Sequence, residues 1–436
     1  MGRYFGTDGI RGRAYEFLTY DLAYAVGKSL SLLGFSELVI AMDTRESGSI
    51  LKSAIKEGAR TSGIDVMDFG ILPTPVLCYL SKLRHSLGVM ITASHNPYQD
   101  NGIKIFTAGR KIFLEEEAII ENALTGIISP ASTVVQGREL TPVDALGPYR
   151  ELFADISCNS SLRLALDLAN GACCATAPLL FSKIAGEVIL IGNNPDGRNI
   201  NQGVGSTEIT AIQECVSAKK ADLGFAFDGD GDRVICVDHA GQVYDGDHLL
   251  YLIACDLQRQ GKLIHNAVVL TKMSNLGIIK ALKEVGIESI ITDVGDKYVS
   301  DALENGGFVL GGENSGHIIN KTVLDTGDGV LAAATITDII SRTGMTISEL
   351  TASLKMFPER LVNLRGHDRE LARHPEVLKI VNLIKNELKS EGKVLVRPSG
   401  TEPLIRIAVS APTRTAVDQA IERIVRVIEQ LARQSS

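Results

Sequence analysis

The stretch Leu223-Gly224-Phe225-Ala226-Phe227-Asp228-Gly229-Asp230-Gly231-Asp232-Arg233-Val234-Ile235-Cys236-Val237-Asp238 decides the reading of this chain. An apolar run, a glycine-spaced acidic loop and a second apolar run predict strand, loop, strand. Three carboxylates at i, i+2 and i+4 repel one another unless a cation sits among them. Oxygen-only ligands suit a hard ion, Mg2+ or Ca2+. The loop is not an EF-hand, because Arg233 stands where that motif needs Gly and His239 where it needs Glu. Nor does it match a phosphatase with an aspartyl nucleophile, where Thr or Val is expected at the position of Asp232. A solvated acidic turn is the plain alternative, but two glycines between three aspartates are costly to keep without a use.

Outward from this loop, short β-branched runs alternate with helical patterns. Residues 38–41, 87–93 and 186–191 read as strands, and 51–60 and 176–183 as helices. Such alternation predicts α/β layers on a mixed or parallel sheet, with functional loops at strand ends. Polar, Gly- and Pro-marked stretches at 126–146, 239–248 and 357–369 suggest boundaries. The last segment differs. Val377, Val381, Ile384 and Leu388 form a helical stripe, strands 393–397 and 404–409 follow, and Val417, Ile421, Ile424, Ile428 and Leu431 line a final helix. That pattern predicts a small antiparallel α+β domain. The expected domains are 1–145, 146–247, 248–360 and 361–436.

Composition sets the outer limits. A chain of 436 residues, 45% hydrophobic and 22% charged, holds two to four folded domains. Its 44 Lys and Arg against 52 Asp and Glu give a net charge of −8. This argues against nucleic acid and against an anionic membrane surface, though not against a phosphorylated small ligand met by local arginines. No apolar run approaches the ~18 residues of a membrane span. The start carries no secretory signal, and Gly6 stands where myristoylation wants Ser or Thr. Seven cysteines without a CxxC predict reduced, buried thiols in a cytoplasmic protein and no zinc site.

Three more loops carry chemistry. Thr92-Ala-Ser94-His95-Asn96-Pro97 ends a strand and runs into Asp100-Asn-Gly-Ile-Lys104. Ser94 lacks a GxSxG elbow and reads as a phosphoryl carrier with His95 and Lys104 to supply charge, or as a plain Asx turn. Gly311-Gly-Glu313-Asn314-Ser315-Gly-His317 follows a strand. In an extended segment Glu313 and Ser315 would face one side and grip sugar hydroxyls; a polar Gly-rich turn is the alternative. Arg397-Pro-Ser399-Gly400-Thr401-Glu-Pro403, with Arg406, offers turn amides, hydroxyls and flanking arginines, an anion nest. Gly27-Lys28-Ser29 lacks the head of a P-loop, with Leu22 in place of its first Gly, and Gly203-Val-Gly205 lacks the third Gly of a dinucleotide fingerprint.

A serine, a metal loop, a sugar clamp and a phosphate nest, in this order, resemble the α-D-phosphohexomutase family over essentially the whole chain. Phe5-Gly-Thr-Asp-Gly-Ile-Arg11-Gly, Ser94-His-Asn-Pro-Tyr98, Asn199-Ile-Asn201 with Gly205-Ser-Thr207, and Thr326-Gly-Asp328-Gly resemble its bacterial glucosamine-phosphate branch. Asn314 departs from the Gln that many of that branch carry. The resemblance implies three similar mixed-sheet α/β domains plus a smaller C-terminal α+β domain around a central cleft, with dimers frequent. It implies a phosphorylated Ser94 and one Mg2+ per subunit held by Asp228, Asp230, Asp232 and the phosphoserine. Arg11, His95, Lys104 and Arg233 would surround the transferring group. Glu313, Asn314 and Ser315 would bind the sugar, and Arg397, Ser399, Gly400, Thr401 and Arg406 the idle phosphate. The implied reaction interconverts glucosamine 6-phosphate and glucosamine 1-phosphate through a hexosamine 1,6-bisphosphate that also primes the enzyme. That reaction would supply UDP-N-acetylglucosamine synthesis. Mannose or glucose phosphates are the alternative substrates.

Overall fold

Buried runs of branched aliphatic residues build four sheets in the computed structural model, which describes residues 3–6, 8–129, 135–399 and 404–434. The first sheet holds β1 (Phe5–Gly6), β2 (Gly9–Arg13), β3 (Glu37–Met42), β4 (Asp65–Ile71), β5 (Leu87–Ile91), β6 (Asp100–Thr107), β7 (Arg110–Lys111) and β8 (Glu139–Leu140), in the order β1-β2-β6-β5-β3-β4-β8 with β7 on β6. The second holds β9 (Asn159–Asp167), β10 (Ala185–Ile191), β11 (Leu223–Phe227), β12 (Val234–Asp238) and β13 (Val243–Tyr244), in the order β10-β9-β11-β12-β13. The third holds β14 (Ala267–Thr271), β15 (Glu288–Thr292), β16 (Leu310–Gly312) and β17 (Ile318–Asn320), in the order β15-β14-β16-β17.

One topology recurs in all three. Three parallel strands lie in the order β4-β3-β5, β10-β9-β11 or β15-β14-β16, and an antiparallel strand, β6, β12 or β17, returns beside the last. The connection into each returning strand is a candidate loop of the sequence: 92–99, 228–233 and 313–317. The fold is thus three similar mixed α/β sheets, as expected. β5, β11, β12 and β14 are buried along their whole length, which is why they read as unbroken apolar runs.

The chain divides into two compact units, Met1–Met273 with Gly286–Thr351, and Ser274–Val285 with Ala352–Ser436. The second unit has a three-stranded antiparallel sheet of β18 (Glu359–Arg365), β19 (Lys393–Pro398) and β20 (Leu404–Ser410), in the order β18-β20-β19. The helices Pro375–Leu388 and Arg414–Gln434 pack against it through Val377, Val381, Ile384, Val417, Ile424 and Ile428.

Several local expectations need correction. β18 was read as part of a boundary; it is half-buried at best, with Leu361 exposed, so its apolar signal is weak. The strand expected over 87–93 ends at Ile91. The helix expected over 176–183 is a short helix, Ala177–Phe181, after a 3-10 turn at Ala172–Ala175. The polar stretch 239–248 contains β13 and the start of the helix Gly246–Arg259, capped by Asp245. All seven cysteines are free thiols, but only Cys78, Cys173 and Cys236 are buried and Cys158 is exposed. Among the described residues no helix is long and apolar enough to cross a membrane.

Candidate active site

The acidic loop joins β11 to β12, which pair from Phe227 opposite Val234. Gly231 turns the chain with φ +78°, and Gly229 lies so close to the serine loop that a Cβ there would stand 2.6 Å from the Ser94 carbonyl oxygen. Asp228, Asp230 and Asp232 are all buried, and one carboxylate oxygen from each lies within 4.8 Å of the others. Such crowding is unfavourable without a cation. Burial, and then Asp232 and Asp230, push the Asp228 carboxyl well above its usual range. The Lys104 ammonium partly compensates, 2.8 Å from Asp230 Oδ2, 2.9 Å from Asp232 Oδ2 and 3.2 Å from Asp8 Oδ2. Burial works against the charge of Asp232, but Lys104 and His317 outweigh it and hold that carboxyl low. Asp230 Oδ1 and Asp232 Oδ1 are buried with no hydrogen-bond partner among the described residues. Two orphaned carboxylate oxygens in an all-oxygen set fit a hard divalent cation.

Ser94 sits where β5 ends. Its hydroxyl donates to Asp228 Oδ2 at 2.6 Å and stands 3.2 Å from His95 Nδ1. Its amide donates to Thr92 Oγ1 at 2.9 Å, and the Thr92 hydroxyl donates to Asp43 Oδ2 at 2.6 Å. His95 does not supply the positive charge expected of it. Burial, then the Arg233 and Arg11 guanidiniums, push its imidazole down to about 4, so it is neutral at pH 7. It offers a hydrogen bond and a proton site instead.

Neighbouring strands deliver the cations. Arg11 on β2 lies opposite Gly102 on β6, and Lys104 follows two residues on, so both project to one face. Arg11 pairs with Asp8. Lys111 joins Asp8 to Asp296, which opens the helix Asp296–Gly306. Arg233 is tied through its amide to Asp228 Oδ1 at 3.2 Å, and its guanidinium lies 3.8 Å from Asp232 Oδ1.

Between β16 and β17 the chain is not extended. Residues 313–316 form a turn, closed by the Gly316 amide on the Glu313 carbonyl at 3.0 Å, with Gly316 at φ +90°. The same-side argument for Glu313 and Ser315 therefore fails, although both still belong to this loop. Glu313 Oε1 accepts from the Gly295 amide at 3.0 Å, while Ser315 Oγ is buried with no partner among the described residues. Asn314 O accepts from Gly246 N at 3.0 Å, and Gly316 O from Val234 N at 3.1 Å. The 313–317 loop is thus tied to the strand that leaves the acidic loop.

In the second unit Arg397 and Arg406 face each other across β19 and β20. Ser399 N donates to Leu404 O at 2.9 Å, and the Ser399 carbonyl accepts from Arg369 Nη1 at 3.3 Å. Gly400 and Thr401 lie outside the described residues. The sequence reading missed Arg369, Asp43, Arg45, Lys111, Asp296 and the contact of His317 with Asp232. Asp43-Thr44-Arg45 follows β3 directly, so the strand-end rule was the one signal that pointed to it.

Four domain models described as phosphoglucomutase/phosphomannomutase match the chain: α/β/α domain I over residues 2–130, domain II over 145–241, domain III over 245–357 and the C-terminal domain over 361–427. A phosphoglucosamine mutase of Bacillus cytotoxicus is 43% identical over 443 residues, covering 98% of this chain and 99% of that protein. One of Bacillus cereus is 42% identical over 448 residues, with the same coverage. A solved phosphoglucomutase/phosphomannomutase family protein of Burkholderia thailandensis superposes with TM-score 0.80 at 24% identity, over 98% of this chain and 97% of its own. The N-acetylphosphoglucosamine mutase of Aspergillus fumigatus, solved with GlcNAc-6P and magnesium, superposes with TM-score 0.65 at 19% identity, over 99% and 96%. Matched along nearly its whole length, the chain belongs to the phosphoglucomutase/phosphomannomutase family, the α-D-phosphohexomutases, and is an isomerase of that family.

Proposed function

We propose that the enzyme interconverts glucosamine 6-phosphate and glucosamine 1-phosphate, with Ser94 as the phosphoryl carrier. The observation that carries this reading is the Ser94 hydroxyl, 2.6 Å from a carboxylate of the buried aspartate trio. The choice of glucosamine is supported by the full-length likeness to two relatives named phosphoglucosamine mutase. Mg2+ is the proposed metal. When bound by Asp228, Asp230 and Asp232 it offsets charge on the phosphoryl oxygens of phospho-Ser94.

The remaining steps belong to the chain. Transfer breaks the bond from phosphorus to Ser94 Oγ and forms one to O1 of the sugar, giving hexosamine 1,6-bisphosphate. The sugar O1 hydroxyl gives up its proton as the new bond forms, and the neutral His95 imidazole can take up that proton and pass one to the departing Ser94 Oγ. Arg11, Lys104 and Arg233 meet the equatorial oxygens of the moving group, since phosphoryl transfer depends mainly on positioning and charge. Glu313, Asn314 and Ser315 orient the sugar. Arg397, Ser399, Gly400, Thr401 and Arg406, joined by Arg369, hold the phosphate that is not reacting. The bisphosphate then turns over and returns its 6-phosphoryl group to Ser94. Domains bounded near 145, 247 and 360, a homodimer, a cytoplasmic location and a place in UDP-N-acetylglucosamine supply belong to the same proposal.

The test compares turnover of glucosamine, glucose and mannose 6-phosphates with Mg2+ and a 1,6-bisphosphate primer. Glucosamine 6-phosphate should have the highest kcat/KM. A higher value for either other sugar overturns the substrate choice, and steady release of inorganic phosphate in place of isomer overturns the mutase reading.

A further inference from the structure

Ser94 holds φ at +53°, the left-handed region that a residue with a Cβ rarely enters. Such strain persists only when the surroundings enforce it. Two side chains grip the backbone here. Arg45, buried beside its counter-charge Asp43, donates from Nη2 to the Ser94 carbonyl at 3.1 Å and also to the Asn96 carbonyl, and from Nε to the Asp100 carbonyl at 2.9 Å. Asn201 donates from Nδ2 to the Ser94 carbonyl at 2.9 Å and to the Asn96 carbonyl at 3.1 Å.

The two come from different layers. Arg45 follows β3 in the sheet that carries the serine loop. Asn201 comes from the connection after β10, in the sheet that carries the metal loop, and its own amide is anchored to the Ala169 carbonyl at 2.8 Å. Gly229 of the metal loop covers the same spot: a Cβ there would lie 2.6 Å from Ser94 O and 3.0 Å from Asn201 Nδ2. One primary amide, with two hydrogens for two carbonyls, therefore sits at the junction of the serine and metal loops.

We propose that Asn201 is a positioning residue for phosphoryl transfer: its amide sets the register of the serine loop against the metal loop, and so the reach from Ser94 Oγ to Asp228. This rests on the reading of Ser94 as the phosphoryl carrier. Asn201 acts through the carbonyls of Ser94 and Asn96, so its loss should slow transfer without weakening the sugar's grip.

The test uses the full-length enzyme with Asn201→Asp, which turns an acceptor toward two carbonyl oxygens, and Asn201→Gly, which removes the amide yet adopts the native φ of +57° without strain. Each variant should lose about 10- to 100-fold in kcat while KM for glucosamine 6-phosphate stays within about two-fold. The glycine variant decides the matter if the aspartate variant does not fold. Wild-type kcat in Asn201→Gly, or a loss carried by KM, overturns the proposal. Peptide mass spectrometry of the wild-type enzyme separates the two readings. Phospho-Ser94 with an unimpaired Asn201→Gly defeats this inference alone, whereas no phospho-Ser94 and full activity in Ser94→Ala defeat the carrier and with it this role.

Discussion

The hydroxyl of Ser94 lies 2.6 Å from Oδ2 of Asp228, across 134 positions of sequence. Two loops from different sheets meet there, and the meeting brings a hydroxyl oxygen to the edge of the buried aspartate trio. Each loop alone is an ordinary turn.

Replacing Ser94 by Ala should abolish the reaction. Removing a covalent carrier costs on the order of 10⁴-fold or more in kcat. A coupled isomerase assay reads the loss, and mass spectrometry should find the phosphopeptide containing Ser94 only in the unsubstituted protein. Substantial activity in Ser94→Ala would mean that another group carries the phosphoryl.

Asp230→Asn keeps the shape of the side chain and removes a charge from the trio. Changes in outer-shell partners alone cost about 10- to 100-fold in metal affinity, so loss of a proposed ligand should cost at least that, with kcat falling too. The check is activity against Mg2+ concentration, from chelated enzyme upward. An unchanged half-saturation point would exclude Asp230 from the site.

Gly246 tests the proposed sugar-binding role of the 313–317 loop from outside it. Its amide holds the Asn314 carbonyl at 3.0 Å, and a Cβ there would collide with the Glu313 carbonyl oxygen. Gly246→Ala should displace Glu313 and Ser315 and lower kcat/KM about 10- to 100-fold, mainly through KM. Steady-state kinetics with glucosamine 6-phosphate would read the split.

Stability should carry the mark of Asp328, which caps the helix Gly329–Thr343 through the Leu331 amide. Burial raises its carboxyl to about 6, despite opposing hydrogen bonds from Tyr149 and the backbone. The folded pKa exceeds the unfolded value of 3.8, so the folded state binds the extra proton between the two. The stability this gives is full below about pH 4 and lost as pH rises through about 6, on the order of 3 kcal/mol. Asp328→Asn cannot titrate. Urea unfolding should therefore show the variant gaining on the wild type between about pH 4 and about pH 7, with no further gain above. A difference independent of pH would refute the shift.

Much of the candidate site was legible because its signals are local. Glycines between aspartates, a serine after an apolar strand and arginines flanking a turn each announce backbone geometry and chemistry within a few residues. The neutral state of His95 was not legible. It depends on burial and on Arg11 and Arg233, which come from other strands. The sequence left both an extended segment and a polar Gly-rich turn open at 313–316; the Gly316 hydrogen bond decides for the turn. β18 escaped notice because its sequence, with Leu361 outward and Val362 and Leu364 only half-buried, lacks the contrast of a core strand.

By itself the sequence determined which loops carry candidate reactive groups, since backbone freedom and ligand chemistry are properties of neighbouring residues. Tertiary structure alone decided what those loops touch. That Arg45 and Asn201 would hold Ser94 from two sides, or that Lys111 would join Asp8 to Asp296, depends on how sheets stack. Packing of distant apolar faces sets those approaches, and no spacing along the chain encodes a distance across it.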